Sequence, residues 1–168
     1  MDTISDCAMI EQIEFRLATK SDASAMSLMS RDLIEYGLVW SWTRSRICRH
    51  IEDPDTVALV ASIKFKPAGF GIMAYADAEA SLKLLAVQPE YQRLGVGLRL
   101  IRWLEKSALV AGIPNIYLEL RESNTGAFTF YKELGYQKIG VIAGYYQGIE
   151  SAIRMGCDLW SRKSLTQY

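Results

Sequence analysis

Three cysteines, one histidine and four prolines are all that this 168-residue sequence carries of the residues that most often staple, ligate or kink a small protein. Cys7, Cys48 and Cys157 are odd in number and share no CxxC spacing, which argues against a disulfide framework and against a zinc cluster. They read as reduced, partly buried thiols. His50 has no second histidine to share a metal with, so no metal is expected. Excess charge is missing too: 19 Lys and Arg balance 19 Asp and Glu. No basic tract is present and the aromatics are not interleaved with Lys or Arg clusters, which argues against nucleic-acid binding. No apolar run approaches a membrane span, and the acidic residues 1–12 lack a secretory pattern. A cytoplasmic protein without membrane contact is therefore expected. There is no internal repeat, low-complexity tract or linker. What the sequence does have is an apolar half, enough to bury the core of one domain.

The hydrophobic periodicity lays out alternating elements behind a flexible lead-in over residues 1–12. Residues 14–18 alternate as a first strand. Thr19 or Ser21 then caps a helix whose apolar positions Ala25, Leu28, Met29, Leu33 and Ile34 recur at helical spacing, and Gly37 ends it. A shorter helix over residues 44–52 carries Ile47 and Ile51 on one side. Between the two helices lies an aromatic loop with Tyr36, Trp40 and Trp42. Residues 56–63 and 68–75 read as a strand pair around Lys64-Phe65-Lys66-Pro67, and residues 82–87 as another strand. A helix from Val96 has Leu100, Leu104, Ala108 and Ala111 on one face, with Gly112 beyond its end. Residues 115–120 alternate, with Ile116, Leu118 and Leu120 on one side and Tyr117, Glu119 and Arg121 on the other. Ser123 or Asn124 caps a helix stopped by Gly135, and two strands, 136–143 and 150–157, flank the loop 144–148. Helices interleaved with strands predict a mixed α/β fold.

The strongest chemical signal is Gln92-Arg93-Leu94-Gly95-Val96-Gly97, which follows the strand over residues 82–87 and opens a helix. Two glycines two apart let backbone approach a ligand closely. The first-turn amides of a helix have no intrahelical partner, and the helix dipole adds partial positive charge there. Together these make a phosphate cradle. It is not a P-loop, since no Gly-Lys-Ser/Thr follows, and the third glycine of a dinucleotide fingerprint is missing.

This string, preceded by Ala-Val-Gln-Pro, resembles the pyrophosphate-binding motif of the GNAT superfamily of acetyltransferases. Two further strings match in the right order: Leu118-Glu119-Leu120-Arg121-Glu122-Ser123-Asn124, then Phe130-Tyr131-Lys132-Glu133-Leu134-Gly135-Tyr136. Within the superfamily the sequence is most similar to the bacterial ribosomal-protein-alanine N-acetyltransferases, whose tail carries a Tyr-Tyr pair where this chain has Tyr145-Tyr146. The motifs cover residues 80–156; upstream the likeness is one of element order. The resemblance implies a single GNAT domain over residues 13–160. It also implies a mostly antiparallel sheet of six to seven strands, splayed at the cofactor site and flanked by about four helices.

It implies roles for residues as well. The backbone of Leu85, Ala86 and Val87 would contact the pantetheine arm of acetyl-CoA, with a bulge aiming an amide at the thioester oxygen. Gln92, Arg93, Leu94, Gly95, Val96 and Gly97 would hold the pyrophosphate, Arg93 by its charge or as a solvated side chain. Asn124 would touch the cofactor arm, cap its helix, or both. Tyr131 matches the position of the general acid, where it also contacts the cofactor; a tyrosine of pKa about 10 can protonate a thiolate whose thiol has pKa about 8.5. On periodicity alone it reads as a core tyrosine.

Glu119 is the candidate general base, directly or through a water, or else the partner of Arg121 in an ion pair. Many members carry a glutamate on the preceding strand, where this chain has Ser81 and Lys83, with Glu79 only at the edge. Tyr36, Trp40, Tyr145 and Tyr146 are the candidate acceptor-binding residues; Trp40 and Trp42 equally suit packing under a loop. The segment between Tyr146 and Glu150 is shorter than in those enzymes.

The expected function is an acetyl-CoA-dependent N-acetyltransferase working by direct transfer, as a monomer or homodimer. Its acceptor is expected to be a protein or peptide α-amine. An α-amine of pKa about 8 is roughly a tenth free base at pH 7, against about one part in two thousand for a lysine. The alternatives are a small-molecule acceptor (a polyamine, amino acid or aminoglycoside) and a non-catalytic acetyl-CoA sensor.

Overall fold

The computed structural model describes residues 12–165, the side chains of 163–165 excepted. Apart from Gln12, the lead-in expected over residues 1–12 lies outside the described residues, and so does Cys7. Among the described residues, seven strands form one sheet in the order β1-β2-β3-β4-β5-β7-β6. They are β1 (Ile13–Leu17), β2 (Thr56–Ile63), β3 (Lys66–Tyr75), β4 (Ala80–Val87), β5 (Asn115–Arg121), β6 (Gln137–Tyr146) and β7 (Glu150–Asp158). Five helices accompany them: α1 (Ala23–Met29), α2 (Arg44–Glu52), α3 (Val96–Val110), α4 (Thr125–Glu133) and α5 (Leu159–Leu165). This is a mixed α/β, GNAT-like fold. β4 and β5 run parallel, whereas β1 with β2, β5 with β7 and β6 with β7 are antiparallel. None of the described helices is long and apolar enough to cross a membrane.

The chain divides into two compact units. The first takes the described residues up to Met73 together with Leu84–Leu104; the second takes Ala74–Lys83 and the described residues from Glu105 onward. β3 and β4 each contribute to both.

In the first unit, β2 and β3 carry runs of six consecutive buried residues, as strands covered on both faces do. Met26 and Met29 of α1 and Ile47 of α2 meet Val60, Phe70, Ile72, Leu84 and Ala86 in one core. β3 keeps its approach to β4 and α3 by omitting side chains. A Cβ on Gly69 would lie 2.9 Å from the Ala86 carbonyl, and one on Gly71 would lie 2.9 Å from Leu104.

Two expectations change here. Neither Thr19 nor Ser21 caps α1. Asp22 stands at that position and binds backward, accepting from the Thr19 amide at 2.7 Å and taking both arms of Arg16 at 2.7 and 2.8 Å. And α1 stops at Met29, because the chain widens into a π-helical segment, Ser30–Ile34, before Gly37.

In the second unit, β5 alternates buried and half-buried as its sequence predicts, with Ile116, Leu118 and Leu120 inside. β6 runs on to Tyr146, so Tyr145 and Tyr146 lie in a strand rather than in the loop expected over residues 144–148. α5 was not expected. It is fastened by Arg162, which gives both arms to the buried Glu105 at 2.7 and 2.8 Å and a further bond to the Leu134 carbonyl.

Candidate active site

In the first unit the chain leaves β4 through a tightly bonded turn. The Gln88 amide donates to Ala68, and a 3-10 turn at Pro89–Tyr91 follows. The Gln92 side-chain amide folds back to donate to the Val87 carbonyl at 3.0 Å. Arg93 and Gly95 both adopt left-handed backbone, at φ 64° and 77°. Glycine takes that conformation freely, whereas arginine is strained there by roughly 1–2 kcal/mol. The first bond of α3 runs from the Arg99 amide to the Gly95 carbonyl, so the amides of Val96, Gly97 and Leu98 lie ahead of it. Val96 is buried and anchors the helix start, and a Cβ on Gly95 would meet nothing within 4 Å. The donor set is thus backbone amides at the positive end of a fifteen-residue helix, which suits a phosphate or pyrophosphate. Along β4, Leu85 and Val87 lie on the half-buried side and Ala86 points into the core.

The aromatic segment of the same unit is held by a residue that periodicity did not single out. Glu35 is 7% exposed. Its Oε1 accepts from the Ser41 amide at 2.8 Å and the Ser41 hydroxyl at 2.6 Å, and its Oε2 from the Trp42 amide at 3.1 Å and the Ser30 hydroxyl at 3.2 Å. Trp42 is clasped between Arg46 (4.0 Å to the ring centre) and His50, so it serves packing. Tyr36 and Trp40 are exposed, with Arg31 over the Trp40 ring.

In the second unit Glu119 and Tyr146 come together with the β5–β7 ladder. Glu119 sits directly opposite Arg154 in the register, its Oε1 3.6 Å from Arg154 Nε. The ion pair weighed as the alternative role of Glu119 is thus present, with Arg154 as its partner rather than Arg121. Arg121 pairs with Glu150 at 2.7 Å across the same two strands. Hydrogen bonds from Ser123, joined by Arg121, hold the Glu150 carboxyl down to about 2. The Tyr146 hydroxyl donates to the Glu119 carbonyl at 3.3 Å, and Tyr145 meets Tyr146 edge-on.

Tyr131 is buried on α4, edge-to-face with Phe130 and with Tyr136. Burial pushes its hydroxyl pKa well above the ordinary tyrosine value, with Tyr146 adding to the shift. Burial does the same to Tyr146, helped by Tyr145 and Glu119. Asn124 caps α4 by accepting from the Ala127 amide at 3.0 Å.

The sequence pattern of the acetyltransferase (GNAT) family matches residues 23–136, more than half of the chain. This chain belongs to the GNAT acetyltransferase family. It is 37% identical over 97 residues to the ribosomal protein bS18-alanine N-acetyltransferase of Escherichia coli, a match covering 56% of this chain and 66% of that protein. An N-alpha-acetyltransferase of Sulfurisphaera tokodaii is 37% identical over 76 residues, covering 45% of this chain and 46% of its own length. Among solved structures, the ribosomal-protein-S18-alanine N-acetyltransferase of Escherichia coli superposes with a TM-score of 0.74 at 24% identity, covering 88% of this chain and 94% of that one. The matched segments therefore span less than two thirds of these curated relatives' own length.

Of the candidate GNAT residues, Glu119, Tyr131, Tyr145, Tyr146 and Asn124 all fall in the second unit. Residues 85–87, residues 92–97, Tyr36 and Trp40 fall in the first. Sequence reasoning missed Glu35, Arg154 and the bond that the Gln92 side chain makes back to Val87. Of these only Glu35 left a trace, as an acid set in an aromatic, apolar stretch.

Proposed function

We propose that this GNAT protein is an acetyl-CoA-dependent N-acetyltransferase that acetylates a protein or peptide α-amine by direct attack. The observation that carries the reading is the turn from β4 into α3. There Arg93 holds a strained left-handed conformation beside Gly95, at a helix start whose amides lie ahead of the first intrahelical bond. GNAT enzymes use acetyl-CoA, and the amides of residues 93–98 are the groups that would hold its pyrophosphate. Bound there, acetyl-CoA supplies an acyl group activated as a thioester.

The remaining work falls to side chains of this chain. Glu119, which faces Arg154 across the paired strands, accepts a proton from the incoming ammonium directly or through water. Tyr131, kept protonated by its burial, is in the state that a donor to a departing sulfur needs. A thiolate released away from bulk water is a stronger base than in solution, which favours the transfer. Tyr145 and Tyr146, beside Glu119 in the second unit, supply aromatic surface for the acceptor. The α-amine preference draws on the relatives, one named for the alanine of a ribosomal protein and the other for N-alpha acetylation.

CoA release tests this across N-terminal peptides, lysine peptides, polyamines and aminoglycosides, with Tyr131→Phe alongside. Turnover on N-terminal peptides, reduced about a hundredfold in the variant, is expected. Tight acetyl-CoA binding with no release on any acceptor would sink the enzymatic reading in favour of a sensor.

A further inference from the structure

Arg154 has more donors than its described contacts use. It faces Glu119 at 3.6 Å, beyond good hydrogen-bond distance, and its guanidinium rests over the Tyr117 ring, 5.1 Å from the centre. That ring has room because residue 156 is glycine: a Cβ there would lie 2.9 Å from the Tyr117 ring carbons. The neighbouring carboxylate offers no alternative partner, since Glu150 is taken by Arg121 and by the Ser123 amide. The Arg154 side chain is 39% exposed, against 13% for Arg121. A guanidinium carries five N–H donors in a planar fork, and the contact with Glu119 accounts for the Nε end. The terminal amino groups therefore present donors beside the candidate base.

We propose that Arg154 is a specificity-determining residue that recognises a carboxylate of the acceptor: an aspartate or glutamate at the second or third position of the acetylated peptide. This rests on the reading that the acceptor is a peptide α-amine delivered to Glu119. An extended chain advances about 3.4 Å per residue, and directly opposed side chains on paired strands lie about 5 Å apart. A group one or two residues beyond the reacting amine is thus within reach of the residue opposite Glu119. Guanidinium binds carboxylate through two parallel bonds, which an amide or hydroxyl cannot match. The same positive charge repels a lysine at those positions and disfavours polyamines.

The test is a peptide panel with one common first residue and Asp, Gln or Lys at positions two and three. kcat/KM is measured for the wild-type protein, Arg154→Gln and Arg154→Glu. The quantity read is the acidic-to-neutral ratio within each protein, so any general loss transmitted through Glu119 cancels. For a partly exposed pair the wild-type ratio should be about three- to tenfold. It should fall to about one in Arg154→Gln and invert in favour of lysine in Arg154→Glu. A wild-type ratio of one or less overturns the proposal without any variant, and so does a ratio that survives in Arg154→Gln. Turnover of the neutral peptide alongside a ratio of one removes this inference alone. No turnover of any peptide removes the peptide-acceptor reading and this inference with it.

Discussion

Replacing Glu35 with glutamine takes away one of the two acceptor oxygens that organise the segment from Tyr36 to Trp42. Each oxygen serves one backbone amide and one hydroxyl: Ser41 amide and hydroxyl on Oε1, Trp42 amide and Ser30 hydroxyl on Oε2. Hydroxyls can reverse and accept from a side-chain NH2, but a backbone amide cannot. Whichever way the glutamine turns, its NH2 meets an N–H, and one amide loses its acceptor. The shorter bonds to Ser41 favour keeping the carbonyl on that side, so Trp42 is the amide stranded. An unpaired buried donor costs about 1–3 kcal/mol, and loss of the charge weakens the bonds that remain. Trp42 is only half-buried, so water can partly replace the lost acceptor. A destabilisation of about 2 kcal/mol follows.

Urea unfolding of wild type and Glu35→Gln, followed by tryptophan fluorescence, measures that cost. If the aromatic segment binds the acceptor, loosening it raises the acceptor KM by about tenfold and leaves the acetyl-CoA KM within about twofold. Unchanged stability together with unchanged acceptor KM would refute the claim that Glu35 holds this segment.

Two further outcomes follow from local chemistry. Asp22 and Glu150 both have carboxyls held down to about 2, Asp22 by Arg16 first and Glu150 by Ser123 first. A depressed carboxylate stabilises the fold above its unfolded pKa near 4, and that stability is lost as pH falls toward the folded value. Urea midpoints should therefore drop between about pH 5 and pH 2 more steeply in the wild type than in Asp22→Asn/Glu150→Gln; parallel profiles would contradict the assignment. The β2–β3 turn places Lys64 and Phe65 in left-handed backbone at φ 46° and 65°, with Phe65 98% exposed. Lys64→Asn/Phe65→Gly should raise stability by about 1–2 kcal/mol, read as a Tm gain of several degrees, and an unchanged Tm would count against strain at this turn.

Periodicity carried the elements whose stability is local. The alternation of β5 and the bounds of α2 and β2 follow the sequence closely, and Asn124 caps α4 as its side chain suits it to do. The candidate site was legible only where backbone conformation is written into residue type, as at Gly95 and the helix start after it. Partner choice was not legible. Arg121 lies on the same face of the same strand as Glu119, so adjacency favours that pair. The register of β5 on β7 puts Arg154 opposite Glu119 instead, and register is set by pairing across the sheet. Glu35 escaped for a similar reason: its partners Ser41 and Trp42 come within reach only after the π-helical segment and the turn at Gly37 redirect the chain. The extension of β6 through Tyr146 depends on two register shifts against β7, which local sequence does not encode.

The chain passes between its two units three times, at Met73 to Ala74, Lys83 to Leu84 and Leu104 to Glu105. For recombination with a relative this has a direct meaning. A single crossover between Leu104 and Glu105 brings in most of the second unit but leaves its Ala74–Lys83 segment with the other parent. Swapping the second unit whole, with Glu119, Tyr131 and Arg154 aboard, requires all three breakpoints at once, two of them inside strands. A relative's segment from Glu105 onward thus carries the candidate residues Glu119, Tyr131 and Arg154 together, but meets ends of β3 and β4 of different parentage.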